Sequence, residues 1–453
     1  MVDEGRIQKL NDKAIAVRPF IVYWMQSSQR AEWNHALEYA INQSNRLKKP
    51  LIVYFGLTDN FPEANERHYA FMLEGLREVK EELNHRGIKM LVLHTSPELG
   101  ALEVSKMAAL VVVDRGYLRI ERQWREWLTK NADCRVVQIE SNVIVPVEIA
   151  SPKEEYSAAT LRRKIQPQLF QWLEPFFEES RCECSSLGSD LPLREYAIDD
   201  LHKALAGLAI DRSVKRVSSY VGGTSKAKER LEAFLAERIN KYDELKNEPG
   251  ESYSSELSPY LHFGQISPLY ISRRLAELPE ATTAGFLEEL IVRRELGINF
   301  VFYNDKYDSY ESLPQWARST LEKHQRDGRD EIYSREDLEK GNTHDAYWNA
   351  AQTEMVQTGK MHGYMRMYWG KKILEWTDDP SDAYATALYL NNKYNLDGRD
   401  PNGFAGVAWC FGKHDRPWGE RAIFGNVRYM NDKGLKRKFD MERYLKKVSS
   451  ISL

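Results

Sequence analysis

The strongest constraint on the fold is a rhythm in the first 150 residues. Five short runs rich in β-branched and aromatic residues recur there: FIVYWM (20–25), LIVYFGL (51–57), IKMLVLH (88–94), ALVVVD (109–114) and CRVVQIE (134–140). Between them lie longer segments of helical periodicity, near Gln29–Gln43, Glu63–Arg86, Leu99–Lys106 and Leu118–Lys130. Runs that are apolar along their whole length read as strands buried on both faces. Strand, helix, strand at this spacing requires right-handed crossovers, and those produce a mostly parallel sheet with helices on both sides. The spacing predicts an α/β, doubly wound parallel-sheet domain over residues 18–150. No G-x-G-x-x-G follows the first run and no P-loop occurs, so the sheet resembles a nucleotide-binding one without the dinucleotide fingerprint.

From about Ala150 the strand signal stops. Residues 151–211 are mixed and polar around Pro152, Pro167, Pro175 and Pro192, and read as a connector with short helices. Residues 212–453 carry helical periodicity almost throughout, as in AGFLEELIVRRELGINFVFY, HDAYWNAAQTEMVQTGKMHGYMRMYWGKKILEWT and SDAYATALYLNNKY. The predicted second domain is all-α. No run approaches the roughly 18 apolar residues of a membrane span, and the mixed-charge start MVDEGRIQKLNDK matches no targeting peptide. A cytoplasmic protein is expected. Four scattered cysteines make no disulfide framework, and Cys182-x-Cys184 lacks the partners of a zinc site. No metal is expected.

Net charge is −3, yet Phe411 to Leu453 holds eleven Lys or Arg against five Asp or Glu. Such a segment is either a solvated face or part of a phosphate-binding surface. Three further features stand out. In MHGYMRMYWGKKILEW, Trp369 and Trp376 are seven residues apart, two helical turns and about 10.5 Å of rise; Trp348 lies on the preceding helical pattern. Indoles at such separations suit electron hopping, although core packing is the more ordinary use of an aromatic stripe. Arg366, on the same helix, needs a carboxylate partner if buried, and Asp397 is a candidate. Asp397 belongs to LDGRDPNGFAGVAW (396–409), a charged, Gly-rich loop closing on a tryptophan.

Taken together, SPYLHFGQIS (258–267), FLEELIVRREL (286–296), GKMHGYMRMYWGKKILEW (359–376), LNNKYNLDGRDPNGFAGVAW (390–409) and HDRPWGER (414–421) closely resemble the motifs of class II cyclobutane pyrimidine dimer photolyases. IVYWM and QRAEWNHAL resemble the opening of the same family, and the match runs from about residue 20 to the C-terminus. The resemblance implies an α/β domain followed by a helical FAD- and DNA-binding domain. It further implies light-driven repair of pyrimidine dimers in double-stranded DNA. Excited, reduced and anionic FAD would donate an electron to a dimer flipped out of the duplex, then recover it after ring opening. A monomer is expected. A second, light-harvesting chromophore of deazaflavin or folate type is admitted but not specified.

The resemblance assigns roles motif by motif. Tyr242, Ser254, Ser255, Leu257 and Ser258 fall where the family wraps the FAD phosphates and ribitol. Arg366 and Asp397 match the ion pair beside the isoalloxazine, Asn391 the residue facing flavin N5, and Asp400 a further cofactor contact. Trp369, Trp348 and Trp376 match the tryptophan chain that photoreduces the flavin, Trp376 being the outer member. Glu289 matches the acid that hydrogen-bonds the dimer; the alternative is a surface glutamate paired with Arg293 or Arg294. Met367 and Trp409 match the walls of the dimer pocket, and Arg293 stands where some members place a tryptophan near the lesion. Lys413, Arg416, Arg421 and Arg428 are candidate phosphate contacts. Departures are visible: Ser27-Ser28 precede Gln29 where the family has an acidic residue, QRAEWNHAL differs in the order of its Trp and Asn, and residues 180–210 match no motif. The competing reading is a cryptochrome-type flavin photoreceptor without repair activity.

Overall fold

The computed structural model describes residues 2–173 and 179–451; Pro175, within the connector, lies outside them. Six strands form one sheet: β1 (Ile7–Lys9), β2 (Phe20–Trp24), β3 (Leu51–Leu57), β4 (Lys89–His94), β5 (Ala108–Asp114) and β6 (Arg135–Ile139). Their spatial order is β1-β6-β5-β2-β3-β4. The five expected strands pair in parallel, β2 lying between β3 and β5. Ile21 and Tyr23 enter the core on one face and Val22 and Trp24 on the other, which is why the run shows no polar alternation. β1, which pairs antiparallel with β6, was not foreseen: IQK is three residues long and mostly polar.

The crossover helices are α1 (His35–Leu47), α2 (Glu66–His85), α3 (Pro97–Ser105) and α4 (Arg119–Asn131). α1 begins six residues later than its periodicity suggests. Asn34 caps it, its side-chain oxygen accepting from Ala36 N (3.0 Å) and Leu37 N (3.1 Å). Residues before that cap are shaped by Arg30, wholly buried, which donates to Asn142 Oδ1 (2.8 Å), Gly264 O (2.9 Å) and Ser141 O (3.0 Å). Satisfying that guanidinium outweighs one more helical turn.

The connector is no loose linker. Ser186 N donates to Gly87 O (2.9 Å) and Tyr196 N to Val92 O (2.8 Å), while Cys182, Ile198 and Leu205 join the core beneath α1 and α2. Beyond it the described residues are helical. The two layers share an apolar cluster in which Phe71, Ile144 and Val145 meet Leu290 and Ile291, so the sheet unit is docked on the helices. The long pattern around residue 359 breaks into two helices, Ala346–Thr358 and Gly363–Glu375, because Gly359 takes a left-handed conformation (φ 76°). Within the run from Glu280 to Tyr303, residues Glu288–Arg293 form a π-helical turn, a feature that tends to mark functional sites.

Candidate active site

The three tryptophans form one aromatic column. Trp369 stacks on Trp348 at 6.3 Å between ring centroids, 7° from parallel, and Trp348 meets Trp376 edge-on at 5.6 Å. Trp348, contributed by the neighbouring helix, therefore stands between two indoles set two turns apart. All three are at most 3% exposed. Trp348 Nε1 donates to Trp369 O (3.0 Å) and Trp369 Nε1 to Gln352 Oε1 (2.9 Å), which holds both rings without a titratable partner.

One turn before Trp369, Arg366 reaches Asp397 at 3.5 Å and Asn395 Oδ1 at 3.5 Å. Asn391 Oδ1 accepts from Asn395 Nδ2 (3.0 Å), so the residues expected at the flavin converge. The loop from Leu396 explains its own composition. A Cβ at Gly398 would lie 2.8 Å from the carbonyl oxygens of Asn391 and Asn392, a closeness only glycine allows. Arg399 takes a left-handed φ of 63° and turns away, donating to Asn392 O (2.8 Å) and meeting His68 Nε2 of α2 at 2.9 Å.

Asp400 has a structural task in this loop. It caps the Pro401–Cys410 helix through Asn402 N (2.7 Å), and its other oxygen meets His262 Nδ1 at 3.2 Å. Burial raises its pKa, but the bond to His262 and that ring's charge bring it below the ordinary carboxylate range. Each oxygen thus has a partner within the protein.

Several buried groups fit a large ligand carrying phosphates. Ser258 Oγ and Arg366 Nε are buried with no hydrogen-bond partner among the described residues. Gly406 faces open space, with no atom within 4 Å of where its Cβ would sit. Ser254 lines a cleft with Lys360 and His362. Burial lowers the pKa of His362 to about 3, with the charges of Lys447 and Lys360 adding to the effect, so the ring is neutral. Leu257 is buried, and its N–H donates to Ser255 Oγ at 3.4 Å. Tyr242 packs edge-on to Phe234 and Phe286, and burial pushes its phenol well above the ordinary range. Lys360 lies within the 359–376 motif, where the sequence reading gave it no role.

The opposite character appears at the face bearing Glu289. Its side chain is 42% exposed and pairs with Lys246 at 3.6 Å, not with Arg293 or Arg294. Arg293 is exposed and touches Glu288 (3.6 Å), and Arg294 donates to Asn142 O (2.7 Å). Met367 and Trp409 are partly exposed on packed helices, Cys410 Sγ lying 4.0 Å from Met367 O. Arg416 and Arg421 are exposed, and Arg416 and Arg428 lie over the ring of Trp418, 39% exposed, at 5.2 and 5.0 Å. Lys413 corrects the sequence reading: it is buried, paired with Glu154, donates to Ser312 O (2.8 Å) and sits over Phe300. It is not free to meet a phosphate. Trp418 lay within a motif already quoted, HDRPWGER, but an exposed aromatic between arginines is visible only in three dimensions.

A separate cavity of about 130 Å³ opens at the carboxyl ends of β2 and β3, where Trp24, Phe55, Phe61, Trp124, His68 and Arg399 line it. Crevices at that end of a parallel sheet are the usual ligand positions of such folds. Among the described residues no helix is long and apolar enough to cross a membrane, and no His/Cys/Asp/Glu group is arranged to hold a metal ion.

An α/β sheet unit docked on a helical unit, with an indole column leading to a partly buried Arg–Asp pair, narrows the protein to a small class. Residues 21–180 match the family described as DNA photolyase. A deoxyribodipyrimidine photo-lyase of Methanothermobacter thermautotrophicus is 52% identical over 453 residues, spanning 100% of this chain and 99% of that protein. The fold is shared with an archaeal photolyase from Sulfolobus tokodaii with two FAD molecules (TM-score 0.71, 18% identity, 94% of this chain and 89% of that one). It is shared equally with a cryptochrome of Synechocystis (TM-score 0.73, 17% identity, 95% and 88%). The chain belongs to the DNA photolyase family and is an enzyme of that family.

Proposed function

We propose that this enzyme is a class II photolyase that repairs cyclobutane pyrimidine dimers in double-stranded DNA under light, with FAD as its cofactor. The observation that carries the reading is the single helix Gly363–Glu375, which presents Arg366 to Asp397 and, one turn on, Trp369 to the indole column. An electron path thus ends beside a cation–carboxylate pair suited to a flavin ring. Reduced FAD, when bound, supplies the light-driven electron that opens the dimer.

The protein's own residues bind, shield and orient. Ser258 and Ser254, with Lys360, hold the phosphate-bearing portion; Arg366, Asp397 and Asn391 fix the ring and its charge. Met367 and Trp409 offer apolar walls to a base pair taken out of the stack. Glu289, half exposed on its face of the helical unit, hydrogen-bonds the flipped dimer. Arg293, Arg416, Arg421 and Arg428 contact backbone phosphates, whose counterion release makes binding salt-dependent. The aromatic cavity at β2 and β3 suits a second, light-harvesting chromophore.

A cryptochrome-type photoreceptor shares the fold, so the fold cannot decide. The half-exposed Glu289, together with the partly exposed Met367 and Trp409 and the exposed Arg416 and Arg421, favours repair. The test is a duplex oligonucleotide carrying one thymine dimer, incubated with purified protein under blue light and in darkness. Restoration in the light alone, by protein with a flavin spectrum, is expected. Equal outcomes in light and dark would overturn the reading.

A further inference from the structure

We propose that the indole column does not end at Trp376: Tyr333 and His344 form its terminal station. Tyr333 passes an electron to oxidised Trp376 while its phenolic proton moves to His344 Nδ1. The proposal rests on the reading that the column supplies electrons to a photoexcited flavin.

The indoles differ in what surrounds their N–H groups. The proton of Trp348 faces a peptide carbonyl, and that of Trp369 faces an amide oxygen. Neither acceptor is basic enough to keep a proton, so a hole arriving on either ring remains a protonated cation and moves on. Trp376 instead meets two further rings edge-on, Tyr333 at 5.3 Å and His344 at 5.3 Å. The Lys372 ammonium lies over the Trp376 ring at 5.4 Å, partly neutralised by Glu375 at 2.8 Å. A cation over that face is attracted to the neutral ring and repelled by the oxidised one. Trp376 is therefore a poor place for the hole to rest.

Tyr333 is a good one. Its backbone N–H donates to Trp376 O (3.1 Å), which fixes the ring against the indole. Its hydroxyl oxygen accepts from the backbone N–H of His344 (3.0 Å) and lies 2.7 Å from His344 Nδ1. With the backbone N–H already donating to that oxygen, the arrangement the proposal uses is the Nε2–H tautomer of His344, whose bare Nδ1 accepts the phenolic proton. Oxidising a phenol requires that the proton leave with the electron, and here an acceptor for it stands within hydrogen-bond reach.

The step balances. Oxidised Trp376 gains one electron and becomes neutral indole, Tyr333 loses one electron and one proton to become a neutral tyrosyl, and His344 becomes imidazolium. His344 is exposed and releases the proton to water, while half-buried Tyr333 is accessible to a soluble thiol that restores it by hydrogen transfer. The hole is thereby carried away from the flavin before it can return. Tyr333 lies outside the helical patterns and His344 just before the Ala346–Thr358 helix, which is why only the fold brings them to Trp376.

The test is time-resolved electron paramagnetic resonance on flavin-loaded protein after a light flash, in parent, Tyr333→Phe and His344→Ala. In the parent, a tryptophan signal should give way to a tyrosyl signal, and ring-deuterated tyrosine should collapse that signal's hyperfine structure. Tyr333→Phe should show only the tryptophan signal, with faster loss by recombination and less flavin reduced per flash in the presence of thiol. His344→Ala should form the tyrosyl roughly 10²-fold more slowly, the low end of what a positioned general base contributes, with added imidazole restoring the rate. A tryptophan signal in the parent that never becomes tyrosyl would overturn this proposal and leave the column's role standing. No aromatic radical of any kind in the parent would overturn both. The deuterated parent needs no substitution, so a misfolded variant cannot protect the idea.

Discussion

The indole column and the face that carries Glu289 are built on opposite terms. In the column, Trp348, Trp369 and Trp376 are at most 3% exposed, and the N–H groups of Trp348 and Trp369 are committed to neutral acceptors. On the open face, Glu289 is 42% and Arg293 43% exposed, and their only ion-pair partners stand 3.6 Å away among the described residues. Fixed aromatic contacts without water suit a charge that must move with little reorganisation. Half-solvated charges with loose partners suit a large, charged substrate whose arrival completes the burial. On the proposed reading, supplying electrons and using them are separate tasks in separate surroundings.

Charged residues close together in sequence allow that contrast to be broken. The largest effect belongs to Glu295, six residues beyond Glu289 but buried, accepting from Ile144 N (2.5 Å) and Val145 N (3.4 Å). Burial lifts its pKa to about 8, against the pull of those N–H groups and of Arg294 and Arg6. The unfolded chain loses this proton near the ordinary carboxylate value of about 4.3. Between those two values the folded state binds more protons, so this contribution to stability declines as pH rises through the window. Chemical denaturation of Glu295→Gln should lack the decline, a difference on the order of a few kcal/mol at alkaline pH. An identical pH dependence in parent and variant would remove the buried carboxyl from the account.

A smaller effect is expected at Lys413. Lys413→Met should lower the melting temperature, with a loss of about 1–3 kcal/mol from the group left unpaired, and should leave the salt dependence of DNA binding unchanged. Glu289→Ala should lower repair per absorbed photon by up to about tenfold, less than the roughly 10²-fold loss on deleting an oxyanion-hole donor. Flavin content and absorbance should stay as in the parent; equal quantum yields with damaged DNA saturating would exclude Glu289 from the chemistry. The smallest effect is on the rim. Replacing Arg416 and Arg421 together by Gln should make the slope of log K against log salt shallower by about 1.8, at about 0.9 per phosphate contact. Stability should then move by no more than about 0.5 kcal/mol. An unchanged slope would make these arginines a solvated face.

The sheet was legible because a strand buried on both faces announces itself over five or six residues, as in LIVYFGL. β1 escaped because a short polar edge strand is defined by its partner β6, and the start of α1 because buried Arg30 reshapes the residues before it. In the site, residues that act through local spacing were legible: Trp369 on its helix and Trp376 at that helix's C-terminal cap stand two turns apart whatever surrounds them. Residues whose fate depends on distant partners were not. Lys413 and Arg416 are three positions apart with the same charge, and only Glu154 and Ser312, far away in sequence, make one of them internal. Asp400 likewise has a partner far away in sequence, His262.

The separation of electron supply from electron use is tested most directly by one measurement on Trp369→Phe. Its flavin should resist photoreduction, since the substitution opens the column at its contact with Trp348. The same protein, with flavin reduced beforehand by dithionite, is then given dimer-containing duplex and blue light, and repaired product is counted per absorbed photon. A yield equal to that of the parent is expected, because Glu289, Met367 and Trp409 are untouched. A loss of repair in the pre-reduced variant would show that the column takes part in the repair step itself, and would contradict the account.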